Sequence, residues 1–174
     1  MAHAADHIDR LQAQWARELP DLDTCGMEVL GRARRIVLRS RPSIEAVFAK
    51  HGLDAGEFDV LSTLRRSGPP YALRPTELYR SLMISSGGLT DRLNRLAKAG
   101  MIIRPASPDD GRSLLVQLTD KGRTTVETAF REDMAVEAAM LAPLDAAERR
   151  LLADLLRKLA LGMEASPDGP NADG

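Results

Sequence analysis

At 174 residues with 44% hydrophobic content and a net charge of -1, the chain suits one compact domain, or one extended by helices. Near-neutrality excludes a generic nucleic-acid coat, and aromatics at only 3% leave Leu and Ala to fill the core, which favours helix packing. A single cysteine excludes an internal disulfide. With no signal peptide or membrane-length apolar run recognisable, a cytoplasmic protein with no membrane partner is expected.

Taken in order, residues 6–19 place Ile8, Leu11, Trp15 and Leu19 at helical spacing, with Pro20 closing the segment. Thr24 is then expected to cap a second helix through Ile36, Val37 and Phe48, ending at Gly52. Pro42 should kink or split that helix. Asp54 and Glu57 stand at capping-box spacing and open a third helix with Phe58, Leu61 and Leu64 inward. Ser67-Gly68-Pro69-Pro70 breaks the chain after it.

The next stretch, 74–119, organises the rest. Pro75 fits the first position of a short helix with Leu78 and Leu82 on one face. Ser85 or Ser86 can cap a second helix whose inner stripe is Leu89, Leu93 and Leu96. Gly87, Thr90, Asp91, Asn94 and Lys98 fall on the other side, where a major groove can be read, and Gly87 lets the helix start approach a phosphate closely. Gly100 ends the helix. Residues 101–106 and 112–118 then read as a hairpin around Ser107-Pro108-Asp109-Asp110-Gly111, with Arg112 beside the tip to enter a minor groove or clamp a phosphate. This is a helix-turn-helix with a wing. Ser85, Ser86, Gly87, Thr90, Asp91, Asn94, Arg95, Lys98 and Arg112 are the candidate DNA-binding residues.

Charge agrees with that assignment. Residues 65–112 hold nine Arg or Lys against four Asp or Glu, so the remainder of the chain is near -6. Such asymmetry is the footprint of a polyanion partner, here double-stranded DNA. Beyond the wing, Thr119 caps a long helix stopped by Pro143, and Asp145 and Glu148 form another capping box before Leu151, Leu152, Leu155, Leu156 and Leu159. These terminal helices carry more apolar stripe than a monomer of this size can cover, so a homodimer is expected, with two-fold symmetry matched to a palindromic operator. The expected architecture is mainly α with a small β-wing, dimerised through N- and C-terminal helices. It divides into residues 1–52 (an extra helix at 5–19 and a dimerisation helix at 24–51), the winged helix-turn-helix at 53–119, C-terminal dimerisation helices at 120–165, and a disordered tail at 166–174.

With these residues in view, the chain resembles the MarR family of bacterial transcription regulators. The resemblance rests on residues 52–61, on Pro75-Thr76-Glu77-Leu78, on the run from Ser86 to Leu93, and on Asp110-Gly111-Arg112-Ser113 followed by Leu118-Thr119. It implies a dimeric winged-helix repressor loosened from DNA by a small effector. A narrower likeness is to the urate-responsive branch (HucR, MftR and PecS-like proteins), marked by an extra N-terminal helix bearing a Trp. There Trp15, Asp59, Arg92 and Arg104 occupy the positions that line an effector pocket, implying urate or a related anionic purine as ligand. Gly111 and Pro105 depart from the basic residues frequent at those wing positions.

Two rival readings remain open. Cys25 lies in the first turn of a helix, where the dipole lowers a thiol pKa, so oxidation is an alternative signal; the plainer account is a small residue packed at the dimer interface. A winged helix can also serve as a protein-interaction module without DNA. An enzyme is disfavoured: three His form no triad, and no metal spacing, cofactor motif or phosphate-binding Gly loop is recognisable.

Overall fold

The computed structural model describes residues 4–82, 88–106 and 114–165. By contact the chain forms two units, Met1–Met134 and Ala135–Gly174. Ser85, Ser86, Gly87, Arg112 and the 166–174 tail lie outside the described residues.

In the first unit, helix α1 spans His7–Glu18 and opens on a capping box: the Asp6 carboxylate accepts from the Asp9 amide and the Asp9 carboxylate from the Asp6 amide. A π-helical segment, Met27–Gly31, leads into α2, Arg32–Lys50. Two expectations are corrected here. The first-turn amide of Cys25 is satisfied by Asp23, not Thr24, whose hydroxyl instead accepts a hydrogen bond from Gln12 on α1. An Asx turn two residues long competes well for that amide, and the interhelical bond takes the hydroxyl away. Of the kink or split expected at Pro42, the split does not occur: α2 runs through it unbroken. The irregularity sits upstream, in the π segment.

Helix α3, Ala55–Arg66, is the centre of the core. Its capping box forms as expected from Asp54 and Glu57, and Val60, Leu61 and Leu64 are fully buried. Phe58 stacks on Phe48 of α2 with ring centroids 4.0 Å apart. Around α3 gather Leu53, Leu78 of α4 (Pro75–Ser81), Leu93 and Leu96 of α5 (Leu89–Lys98), and Val126 and Ala129 of α6 (Asp120–Met140). Burial of this kind stabilises by roughly 1.5–3 kcal/mol per large aliphatic side chain.

The sheet has three antiparallel strands in the order β1 (Ala72–Leu73), β3 (Val116–Leu118), β2 (Ile102–Ile103). Ile102 faces Leu118 and Ile103 faces Gln117, so the wing hairpin has the expected pairing; Leu73 opposite Val116 adds a strand that sequence reading missed. The alternation is only partly as expected: Val116 and Leu118 are buried, while Leu114 is exposed. Thr119 caps α6, its hydroxyl accepting from the Gly122 amide.

The second unit holds the end of α6 and helix α7, Ala146–Glu164, which begins on the expected Asp145–Glu148 capping box. Its leucines at 151, 152, 155, 156 and 159 are exposed.

Candidate nucleic-acid interface

Helix α5 buries Leu93 and Leu96 against the core, with Leu89 and Arg92 half-buried beside them. On a helix of 3.6 residues per turn this leaves Asp91, Asn94 and Lys98 pointing straight out, with Thr90 on one flank and Arg95 on the other. All five are exposed, as a groove-reading face requires. Gly88, immediately before the helix, is left-handed at φ 75°, and Gly100, just after it, at φ 72°. The helix C-terminus is tied down from outside: the Lys121 ammonium donates to the Ala99 carbonyl at 2.7 Å and the Thr119 hydroxyl to the Gly100 carbonyl at 2.8 Å. A cation on the last free carbonyls complements the helix dipole.

Arg95, expected on the DNA face, is held from the side. Its Nε donates to Glu57 Oε1 at 2.7 Å and its Nη2 to Asp54 Oδ2 at 2.8 Å, so it grips the capping box of α3. These carboxylates, Glu57 foremost, push its pKa further up. Sequence reading missed the contact because 38 and 41 residues separate the partners.

Of the four effector candidates, Asp59 and Arg92 belong to facing parts of α3 and α5, and Arg104 and Trp15 stand outside both helices. Asp59 is buried, at 5% exposure, on α3. Arg92 lies over Gly56, one turn from Asp59 on the same helix face. Arg104 is on the other side of α5, where its Nη2 donates to Asn94 Oδ1 at 3.0 Å. Trp15 remains 47% exposed on α1. That helix is fastened to the start of α2 by Arg32, which bonds both carboxylates of the α1 capping box, and by the Gln12–Thr24 pair.

A MarR family model matches residues 51–113. The chain is 40% identical to the HTH-type transcriptional regulator PecS of Dickeya dadantii over 159 residues, which cover 91% of this chain and 95% of that protein. This chain belongs to the MarR family. Among solved structures it is similar to a cysteine-to-serine variant of E. coli MarR in complex with operator DNA. That match has a TM-score of 0.64 and 26% identity, and covers 83% of this chain and 96% of that one. It is also similar to BpsR of Bordetella bronchiseptica, whose DNA binding is regulated by 6-hydroxynicotinic acid: TM-score 0.59, 26% identity, 74% and 98% covered.

As a MarR-family protein it is a DNA-binding transcription regulator, not an enzyme, and PecS supports its place in the PecS-like branch. Among the described residues no group of His, Cys, Asp or Glu could hold a metal ion, and no helix is long and apolar enough to cross a membrane. For the alternative of an activated thiol at Cys25, the surroundings oppose activation. Cys25 is exposed, and the Asp23 carboxylate, by hydrogen bond and by charge, pushes its thiol up, away from the reactive thiolate. The neighbouring acid outweighs the helix terminus, and the position is not a buried one in the single chain.

Proposed function

We propose that this regulator is a homodimeric repressor that binds a palindromic operator and is released by a small anionic aromatic effector, urate or a related purine. The observation that carries the effector reading is Arg92 lying over Gly56 on the α3 face that also bears the buried Asp59. A planar guanidinium there suits a carbonyl-rich anion, and the anion would repel the Asp59 carboxylate. Because Arg92 belongs to α5, a ligand that holds its guanidinium can bias the position of the DNA-reading helix. Trp15 is the candidate indole for the ring, and Arg104, now bonded to Asn94 of α5, is the candidate second guanidinium if the ligand draws it out of that bond. The likeness to BpsR, which answers to an aromatic acid, supports this class of ligand.

In this reading Thr90, Asp91, Asn94 and Lys98 address the major groove, with Ser85, Ser86 and Gly87 at the helix start and Arg112 on the wing. Residues 53–119 are the DNA-binding domain; 1–52 and 120–165 form the dimer body. The exposed Ile36, Val37 and Leu38 on α2 and the leucines of α7 support the second copy, since apolar patches of that extent mark interaction surfaces.

A gel-shift titration with DNA from immediately upstream of its own gene tests the reading. A specific complex dissolved by urate, and no longer dissolved once Arg92→Ala is introduced, is expected. Specific binding indifferent to urate and to other purines would reject the ligand. A concentration-independent monomer mass in sedimentation would reject the dimer.

A further inference from the structure

The Asp54–Glu57 capping box is completed by a group from another helix. Asp54 Oδ1 takes the Glu57 amide at 2.7 Å and Glu57 Oε2 takes the Asp54 amide at 2.9 Å, an ordinary reciprocal cap. Each carboxylate then has one oxygen left, and both of these, Glu57 Oε1 and Asp54 Oδ2, go to Arg95. Glu57 is buried, at 8% exposure, although it sits in the first turn of a helix where a glutamate is normally in water. A nearly buried carboxylate demands a cation, and a two-pronged guanidinium locks orientation as well as charge. Arg95 sits on the flank of α5 between the core-facing Leu96 and the outward Asp91 and Lys98, so this grip sets the rotation of α5 about its own axis. The C-terminus of α5 is pinned separately by Lys121 and Thr119.

We infer that Arg95 is a positioning residue for DNA recognition, not a DNA contact: through Glu57 and Asp54 it fixes which face of α5 is offered to the groove. DNA binding itself is the activity of the family; what is new is the latch and its sign. A phosphate-contacting arginine and an orienting one predict opposite outcomes when its acidic partner is neutralised. Were Arg95 a phosphate contact, Glu57→Gln would free the guanidinium, remove a negative charge near the polyanion and tighten binding. As an orienting residue it loses its anchor, and binding weakens. Gln still serves at this position of a capping box, so the helix start is retained.

The experiment is fluorescence anisotropy with a labelled duplex from upstream of its own gene, over a salt series, for wild type, Glu57→Gln, Arg95→Gln and the double variant. Circular dichroism checks that each is folded. Expected are a roughly tenfold weaker complex for each single variant, a double variant no weaker than the worse single, and an unchanged salt slope. A slope reduced by about one in Arg95→Gln, the signature of a lost phosphate contact, overturns the inference. So does folded Glu57→Gln binding as tightly as wild type or tighter. If Arg95→Gln fails to fold, Arg95→Lys takes its place: it keeps the charge but loses the fork, so wild-type affinity from it counts against the latch.

Discussion

The Arg92 guanidinium lies so close over Gly56 that a Cβ there would stand 2.2 Å from its Nε and 2.6 Å from its Cζ. The contact is with the far end of a flexible side chain, so it can be relieved by swinging the arginine away. Gly56→Ala is therefore expected to fold with stability within about 1 kcal/mol of wild type, helped by the better helix propensity of Ala. It should still bind DNA while losing its response to the effector. Urea denaturation together with a urate gel-shift checks both halves.

Gly122 presents the opposite case. A Cβ there would stand 2.1 Å from the Met101 carbonyl oxygen, and backbone cannot swing aside. Gly122→Ala should be destabilised, because an overpacking cost at or above the upper end of about 1–3 kcal/mol against fixed backbone exceeds the ~1 kcal/mol it gains as a helix residue. Since Met101 follows α5 and Gly122 lies in the first turn of α6, DNA affinity should fall as well. Chemical denaturation and anisotropy read the two effects.

Acid should release α1 before it unfolds the core. The Asp9 amide, with Arg32 and the Ile8 amide beside it, lowers the Asp6 pKa from 3.8 to about 2. A depressed carboxylate contributes stability that is fully present above pH 3.8 and is lost as pH falls through about 2. The chain has one tryptophan, Trp15 on α1, so its emission should shift to the red over that window. Arg32→Ala, which removes the ionic link that holds α1, should show part of the shifted emission already at neutral pH with the remaining helices intact by circular dichroism.

The thiol of Cys25 should be sluggish. Its pKa is raised above the ordinary value by the hydrogen bond and charge of Asp23, so alkylation by iodoacetamide near pH 8 should be slow. Asp23→Asn is expected to accelerate it several-fold. Oxidant sensitivity of DNA binding that vanishes in Cys25→Ser would contradict this assignment.

What was legible in the sequence was mostly local. The Asp54–Glu57, Asp145–Glu148 and Thr119 caps each join residues three apart, and the Leu78, Leu93 and Leu96 stripe repeats with the helix, so residue order alone carries the signal. Even locally, competition misled: Asp23 and Thr24 are both good capping residues, and only the position of Gln12 on another helix decides between them. Strand β1 is two residues long, too short to show any period, and exists because Val116 and Gln117 present an open edge to it.

The sequence by itself determined a mainly helical winged helix-turn-helix with a basic reading unit, because periodicity, caps and charge are properties of neighbouring residues. Tertiary structure alone decided that Arg95 serves α3 instead of standing free, that Arg92 lies over Gly56, and that Arg104 reaches Asn94. A guanidinium can reach a carboxylate on any of several elements, and its reach is settled only once packing has brought one of them within hydrogen-bond distance.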